Sequence, residues 1–302
     1  MNTKIMPFID VTVNAEWSDW QNYPNGRPNP LYSKEAAEWG VDGLIFSFIT
    51  LSPGKKPCWA GQDSMPKEWA LPLANELKAK GLSSVISFGG AVNSDISTFF
   101  SVLELVDIYQ DFIDMYSASG LDFDLENGLY NLSNIMQALV TIQQKNPALT
   151  LSFTLPTLPT GLTSTGLDIV ERAKHAGLTF IVNGMAMDYY DPNYRNKMGE
   201  AAVDAATSIE AQMQSLHITG GFANVAITPM IGLNDDNSMF GLNDTDTVAA
   251  FAREKGMGFL AMWDFNRDNP SSYQYVDLTT SSNPAQRTPG EYTRRFVSGV
   301  KA

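Results

Sequence analysis

The chain has 302 residues, of which 44% are hydrophobic, and its formal net charge is −13 at pH 7. A chain of this length can bury a large core, either as two ordinary domains or as one α/β barrel. The strong negative charge argues against nucleic acid and against an anionic membrane surface as partners. No apolar run is long enough to span a bilayer, so no membrane insertion is expected.

Cysteine and histidine are scarce. Cys58 is the one cysteine, and His175 and His217 are the two histidines. A lone cysteine cannot form an intrachain disulfide, and no Cys/His spacing indicates zinc. Both histidines lie near expected helix C-termini, where a favourable charge at the helix end is a more frequent role than catalysis. The composition therefore argues against Ser-His-Asp, Cys-His and histidine-rich metal chemistry.

Apolar, β-rich segments alternate with amphipathic ones along the whole chain. The predicted strands are Met6–Val13, Gly43–Ile49, Ser84–Phe88, Leu121–Glu126, Leu149–Leu155, Phe180–Met187, Val225–Ile231 and Gly258–Trp263. The predicted helices are Ser33–Trp39, one that closes at Gly81, Asp95–Tyr116, Leu132–Lys145, Leu167–Ala176, Glu200–Leu216, Thr245–Lys255 and Glu291–Val300. This alternation predicts an α/β fold, a single (β/α)8 TIM barrel that forms one domain over residues 1–302. An open doubly wound sheet is less favoured, because no glycine-rich loop follows the first strand.

Three carboxylates occupy alternate positions at the end of the fourth predicted strand. Asp122, Asp124 and Glu126 share one face, because successive side chains of a strand point to opposite sides. Burying three acids together costs free energy through desolvation and repulsion unless they share protons. Glu126 lies nearest the C-terminal rim of the barrel, where it can hold a proton near neutral pH and act as a general acid. Catalysis is therefore favoured over a solvated edge strand or a hard-metal site.

The acid run resembles the DxxDxDxE signature of glycoside hydrolase family 18, the chitinases and their relatives. Asp122, Asp124 and Glu126 match its last three acids, whereas Ser119 stands at the position of the first, which in the family lies deepest and assists the proton relay. The resemblance covers essentially the whole chain. Ser87-Phe88-Gly89-Gly90 is similar to the family's SxGG at the third strand, and Met262-Trp263 ends the eighth strand, where the family places a tryptophan.

The segment Met185–Tyr189 resembles the family's MxYD region in either of two registers. Reading Met187-Asp188-Tyr189 as M-x-Y makes Tyr189 the residue that hydrogen-bonds the substrate's acetamido group. Reading the motif from Met185 supplies Asp188 as its final Asp but no tyrosine. Side-chain parity places Met185, Met187 and Tyr189 on one face, which favours Tyr189, with Asp188 as a second candidate. The alternative is that the methionines simply fill the barrel.

The resemblance implies substrate-assisted retaining hydrolysis, in which the substrate's own N-acetyl oxygen attacks C1. Glu126 would protonate the leaving oxygen, Asp124 would orient the acetamido group, and Asp122 would share a proton below it. Other expected contacts with the substrate are Tyr189, Met187, Asp188, Gly90, Trp263 as the floor of the sugar site, and Trp20 from the aromatic-rich loop Ala15–Tyr32. No metal or other cofactor is implied.

The implied function is that of a chitinase that cuts β-1,4 bonds between N-acetylglucosamine units of chitin or its oligosaccharides. No large insertion precedes the eighth strand, which favours an open cleft and endo-type cutting. An endo-β-N-acetylglucosaminidase acting on N-glycans remains an alternative, and a non-catalytic chitin-binding relative is less favoured because Glu126 is intact. The family resemblance implies secretion, although the N-terminus shows no signal-peptide pattern, and a monomer is expected.

Overall fold

Eight parallel strands form the central sheet. The computed structural model of the protein describes residues 2–302. Strand β1 consists of two pieces, Lys4–Ile5 and Phe8–Asp10. The strands that follow are β2 (Gly43–Leu51), β3 (Ser83–Gly89), β4 (Gly120–Asp124), β5 (Thr150–Leu158), β6 (Ile181–Ala186), β7 (Val225–Pro229) and β8 (Phe259–Leu260).

The two pieces of β1 pair with different neighbours and thereby close the sheet. Lys4–Ile5 runs parallel to β8, and Phe8–Asp10 runs parallel to β2. The backbone between them continues the ladder, because the Met6 and Phe8 amides donate to Leu260 and Met262 carbonyls at 2.9 and 3.1 Å. Strands β2 to β8 pair in chain order around the remaining circumference. The predicted (β/α)8 barrel is therefore confirmed.

One helix follows each strand of the barrel. The helices are α1 (Leu31–Trp39), α2 (Leu71–Ala79), α3 (Val102–Tyr116), α4 (Leu132–Lys145), α5 (Ser164–His175), α6 (Met198–Ser215), α7 (Leu242–Lys255) and α8 (Glu291–Lys301). Their apolar faces and the outward residues of the sheet form one large core. Among the helices of residues 2–302, none is both long and apolar enough to cross a membrane.

Several predicted boundaries differ from the structure, and two of the differences bear on the site. Helix α3 begins at Val102 rather than at Asp95, because Asp95 caps a separate 3₁₀ turn, Ile96–Thr98. A second cap, the reciprocal Ser101–Glu104 pair, then starts the α-helix. Strand β4 ends at Asp124, so Glu126 lies in the loop beyond the strand rather than on it.

The interior of the barrel is divided into an apolar and a polar half. The apolar half is built around β1, β2 and β8, and its fully buried side chains are Met6, Phe8, Ile45, Ala226, Phe259 and Ala261. The polar half lies across β3 to β7, where the buried side chains are Ser87, Asp122, Asp124, Ser152, Thr154, Asn183 and Thr228. The acid row of β4 therefore faces hydroxyl groups on both neighbouring strands, Ser87 on β3 and Ser152 and Thr154 on β5.

Candidate active site

A cavity of about 450 Å³ opens at the C-terminal end of the barrel strands. Its polar and aromatic lining includes Asp124, Glu126, Thr154, Asp188, Asp235 and Trp263. A second cavity, of about 490 Å³, lies at the N-terminal end, and none of the described residues that line it is acidic. Active sites of such barrels lie at the C-terminal face, and the carboxylates place the candidate site there.

Asp122 is the deepest member of the acid row and is fully buried. Its carboxylate accepts three hydrogen bonds, from the hydroxyls of Ser87 and Ser152 at 2.6 Å and of Thr154 at 2.7 Å. Burial raises the pKa of Asp122, and the three hydroxyl donors oppose that rise by stabilising the anion. A carboxylate that only accepts from its surroundings is the member of the row best placed to carry the negative charge.

Asp124 lies directly above Asp122 and has the opposite surroundings. Its Oδ1 accepts no hydrogen bond from any of the described residues, although the side chain is buried. Burial, the neighbouring Glu126 and then Asp122 raise the pKa of Asp124 well above its ordinary value. Two coupled carboxylates share one proton when they cannot both ionise. The contrast between the two environments places that proton on Asp124.

Glu126 stands at the mouth of the row, half-buried and in the wall of the cavity. A side-chain hydrogen bond joins it to Asp124. The loop that carries it is held by Asn127, whose amide donates to the Asn93 carbonyl at 2.9 Å, and by the Asp95 amide, which donates to the Leu129 carbonyl at 2.8 Å. The row thus connects a buried anion to a cavity-facing carboxyl through one proton-bearing group.

Ser119 lies far from this relay. It precedes β4, lines the cavity at the N-terminal end and directs its hydroxyl to the Ser84 carbonyl, 3.4 Å away. It makes no hydrogen bond to Asp122 among the contacts of the described residues. A side chain at position 119 does not join the row in this chain, so the serine there leaves the three inner acids intact.

Two glycines at the end of β3 shape the site without lining the cavity. Gly89 and Gly90 have φ values of +106° and +93°. A Cβ on Gly89 would lie 2.1 Å from the Asp124 carbonyl oxygen, and the Gly90 amide donates to that same oxygen at 3.0 Å. A Cβ on Gly90 would meet the ring of Phe48 at 2.7 Å. Gly90 therefore does not line the cavity, as predicted for a substrate contact, but lets the chain approach Asp124 and Phe48.

Trp263 forms one wall of the cavity at the end of β8. Its ring stacks on Phe48 with centroids 5.7 Å apart and planes inclined by 9°, and it also contacts Phe8 at 6.0 Å. The two phenylalanines fix the orientation of the indole, whose other face is available to a sugar ring.

The segment after β6 breaks the alternation on which the choice of Tyr189 rested. Strand β6 ends at Ala186, and Asp188 and Tyr190 both have positive φ, 49° and 54°. As a result, Met187 and Asp188 line the cavity, whereas Tyr189 is buried outside it with its ring 6.2 Å from that of Tyr194. The expectation that Tyr189 offers its hydroxyl to the substrate does not fit this placement.

Asp188 is held at the cavity by the loop after β7. The Asp235 amide donates to Asp188 Oδ1 at 2.7 Å, and Asn234 Oδ1 accepts from the Asp188 amide at 3.2 Å. Burial and the charge of Asp235 raise the pKa of Asp188 to about 6. Asp188 can therefore present either a protonated or an ionised carboxyl to a substrate in the weakly acidic range.

The aromatic loop between β1 and α1 stays outside the cavity. Trp20 is 66% exposed and Trp17 is 53% exposed, and neither is among the residues of the cavity wall. The ring of Trp17 instead covers Gly26, where a Cβ would lie 2.9 Å away. The structure therefore does not bring Trp20 to the predicted site.

Several residues at or near the site were not predicted from the sequence. Ser152, Thr154, Thr228 and Asp235 contact the row or the cavity. Asn183 lies one step further away and bonds to Thr154 and Thr228. A signal was present, because polar residues recur at the inward parity of β5, β6 and β7, where a barrel interior is usually filled by branched apolar side chains.

Similar proteins support this geometry, although no model of a known protein family matches the chain. A "probable bifunctional chitinase/lysozyme" of Escherichia coli (strain K12) is 28% identical over 92% of this chain and 33% of its own length. "Endochitinase 11" of Metarhizium anisopliae is 29% identical over 91% of this chain and 54% of its own length. The catalytic domain of a hyperthermophilic chitinase from Pyrococcus furiosus superposes with a TM-score of 0.86 at 29% identity, covering 100% of this chain and 96% of that one. The chain is thus similar to chitinases in sequence and in fold.

The chain corresponds to only part of the curated relatives that it matches. It spans 33% and 54% of the two proteins named above. Catalytic-site mutants of the Pyrococcus furiosus active domain 2, at 28% identity and a TM-score of 0.86, have been solved with chito-oligosaccharides. The described residues of this chain contain no cluster of three or more His, Cys, Asp or Glu side chains arranged for a metal ion.

Proposed function

We propose that residues 1–302 form one catalytic domain that hydrolyses β-1,4 bonds between N-acetylglucosamine units of chitin. The observation that carries this proposal is the acid row Asp122–Asp124–Glu126, which opens into a cavity with Trp263 as its aromatic wall. The full-length similarity to a chitinase catalytic domain supports the choice of substrate. An uncharged polymer also suits an acidic protein, since it experiences no net repulsion.

The arrangement of the acids favours assistance by the substrate. An ordinary retaining glycosidase places a second carboxylate across the sugar, about 5–5.5 Å from the acid, as the nucleophile. Here Asp122 and Asp124 lie below Glu126 on one strand and cannot flank the bond. The substrate's N-acetyl oxygen therefore attacks C1, the glycosidic bond to the leaving sugar breaks, and an oxazolinium ion forms.

Each residue has a distinct task in this scheme. Glu126 donates its proton to the leaving oxygen and then removes a proton from the water that opens the oxazolinium ion. Asp124 orients the acetamido N–H and stabilises the positive charge that develops there, while the ionised Asp122 below it shares the proton that Asp124 carries. Trp263 carries the sugar ring. Met187 and Asp188, not Tyr189, complete the pocket around the acetamido group.

Endo-type cutting fits the open rim. Between β7 and α7 the described residues form only a small hairpin, Gly232–Leu233 paired with Met239–Phe240. Such a short segment leaves the cavity unroofed on that side, so a long polymer can enter along its length rather than by its end.

The site of action follows from the size of the substrate. A chitin polymer cannot enter a cell, so we propose that the enzyme is secreted. We also propose that it acts as a monomer. Detection of activity in the culture medium, and a molar mass near 33.1 kDa in light scattering, would support both statements. Activity confined to the cell, or a dimer, would contradict them.

The test compares wild type with Glu126→Gln on chitin oligosaccharides and, in parallel, on an N-glycosylated protein. Wild type should release short N-acetylglucosamine oligomers, and Glu126→Gln should lose a factor of roughly 10²–10⁴ in kcat while still binding them. Glu171→Gln, on the exposed side of α5, is the matched control and should retain full activity.

Each alternative function predicts a different result in that experiment. Release of glycans without cleavage of oligomers would assign the domain to the endo-β-N-acetylglucosaminidases. Binding of oligomers without any cleavage by wild type would make it a chitin-binding relative. Wild-type turnover by Glu126→Gln would remove Glu126 as the acid.

A further inference from the structure

A continuous belt of hydrogen-bonded side chains crosses five neighbouring strands inside the barrel. Its members are Ser87 on β3, Asp122 on β4, Thr154 on β5, Asn183 on β6 and Thr228 on β7, each at most 1% exposed. The strand register brings them together, because Ser87 pairs with Asp122 and Thr154 pairs with Asn183. The belt therefore reaches from the acid row to the far wall of the cavity, where Thr228 lies.

The belt has a direction, and Asn183 sets it. The Asn183 amide donates from Nδ2 to Thr154 Oγ1 at 2.9 Å and accepts at Oδ1 from the Thr228 hydroxyl at 2.8 Å. A hydroxyl has a single hydrogen. Because Thr154 receives a hydrogen bond from Asn183, its own hydrogen is directed at Asp122, 2.7 Å away. Every donor in the belt consequently points toward Asp122.

An acceptor at position 183 would reverse this order. Thr154 would then donate to residue 183, and Asp122 would keep only the hydroxyls of Ser87 and Ser152. Loss of one donor from a buried carboxylate weakens its ionised form and favours its protonation. The proton shared by the row would then lie on Asp122, away from Glu126.

We propose that Asn183 is a positioning residue that acts through Thr154 to keep Asp122 ionised and the shared proton on Asp124. Asn183 makes no hydrogen bond to Asp122 in the described chain and does not line the cavity itself, and its two partners are Thr154 and Thr228. This inference builds on the proposed function, because it concerns the proton that Glu126 and Asp124 use.

The titratable groups that face Asp122 are few. Asp124 lies above it on the same strand, and Glu126 lies beyond Asp124. The strands on either side present hydroxyls to it, Ser87 from β3 and Ser152 and Thr154 from β5. Among the described residues, no cation contributes to the electrostatics of Asp122. The Asp122 titration therefore reports on the hydrogen bonds around it and on any charge placed at position 183, and the neutral Thr154 variants below separate the two.

The test compares Asn183→Asp with Asn183→Leu. The first is nearly isosteric but replaces the donor by an acceptor, whereas the second removes the amide and leaves Thr154 free to donate to Asp122. Activity falls on the acid side when Asp122 takes up a proton, so this limb of the pH profile of kcat/KM reports on it. Asn183→Asp should move the limb upward by about one pH unit, a tenfold loss at the acid end. Asn183→Leu should move it upward by clearly less, because it removes only the polarisation of the Thr154 hydroxyl by the Asn183 donor.

A second readout does not depend on turnover. The carboxyl of Asp122, followed by ¹³C NMR in protein labelled at aspartate, should titrate at a higher pH in Asn183→Asp than in wild type. This measurement separates the inference from the proposed function, since it holds whether chitin, an N-glycan or neither is cleaved. An unmoved Asp122 titration in Asn183→Asp, or an equal shift in Asn183→Leu, would overturn the role of Asn183.

Thr154 supplies the same test if Asn183→Asp does not fold. Thr154→Val removes the donor in an isosteric side chain, and Thr154→Ser retains it. An upward shift of the Asp122 titration in Thr154→Val but not in Thr154→Ser would support the directed belt. Identical titrations in wild type and both variants would refute it.

Discussion

The raised pKa of Asp124 should lower the free energy of unfolding of the protein at neutral pH. Folding raises the pKa of this carboxyl well above its ordinary value, chiefly through burial. At neutral pH the folded state therefore holds a proton that the unfolded chain has released. Stability falls with rising pH under these conditions, from the unfolded pKa up to the folded one.

Asp124→Asn should remove this loss of stability. Asparagine is neutral at every pH, so the variant should be more stable than wild type at pH 7, by about 1.4 kcal/mol for each pH unit between the two pKa values. The difference should vanish near pH 4. Urea unfolding of both proteins between pH 4 and 8 measures it. Parallel stability curves would mean that Asp124 ionises normally in the folded protein.

Sequence patterns identified single residues only where they repeated a known chemical motif. Parity grouped Asp122, Asp124 and Glu126, and the family resemblance added Trp263. Asp124, Glu126 and Trp263 line one cavity, and Asp122 is buried below Asp124. The choice between Asp188 and Tyr189 depended on backbone geometry, because parity fails once φ becomes positive beyond the end of a strand. Such a break in alternation has no signature in residue types alone.

Strands β3 and β4 approach more closely than ordinary neighbours at the catalytic end. Gly89 lies opposite Asp124 in the register, and its missing Cβ would fall 2.1 Å from a backbone oxygen. Backbone cannot move aside as a flexible side chain can. The height of the acid row in the barrel is thus set by a glycine on the neighbouring strand.

Gly89→Ala should therefore be severely destabilising, by more than about 4 kcal/mol, because the added methyl meets the main chain of the catalytic strand. Gly81→Ala is the matched control. Gly81 also has a positive φ, +72°, but nothing lies within 4 Å of its Cβ position, so only the left-handed strain of about 1–2 kcal/mol should appear. Thermal and urea unfolding distinguish the two. Equal losses would contradict a steric role for Gly89.

At the level of elements, the alternation of apolar and amphipathic segments was sufficient to predict every barrel strand and every helix. The prediction failed where one stretch of chain does two tasks. Met6–Val13 was expected as one continuous strand, yet β1 is split so that it can serve both β2 and β8. Likewise, two capping signals, Asp95 and Ser101, stand close together, and only the second begins the α-helix.

Arg267 links two loops on one side of the C-terminal rim of the barrel by hydrogen bonds. It is 1% exposed, and its guanidinium donates to the carbonyls of Ile231 at 2.7 Å, Leu233 at 2.9 Å and Asp277 at 2.8 Å. The loop after β7 that carries Asp235 is thereby fixed to the long loop after β8. Burial raises the pKa of nearby Asp264 to about 8, and the charge of Arg267 opposes that rise.

Arg267→Met should destabilise the whole molecule by about 3 kcal/mol, because it leaves one buried and two partly buried carbonyls without their donor. The corresponding fall in Tm is roughly 2–4 °C per kcal/mol. Arg253→Met is the control, since Arg253 donates to the Gly299 carbonyl at the exposed surface and should matter little. Calorimetry of both variants measures the two changes in Tm. A normal Tm for Arg267→Met would show that the rim loops are held by other contacts.

Because the first strand pairs with the last one, the barrel cannot close until almost the whole chain has been synthesised. Asp122, Asp124 and Glu126 leave the ribosome well before Phe259–Leu260, the strand that must meet Lys4–Ile5. At about 5–20 residues per second, roughly 10–50 s pass between synthesis of the first strand and of the last. For about the second half of that interval, the nascent chain carries its catalytic acids on a sheet that has not yet closed. Translation speed and chaperone protection should therefore govern the yield of active enzyme more strongly than any local feature of the catalytic strand.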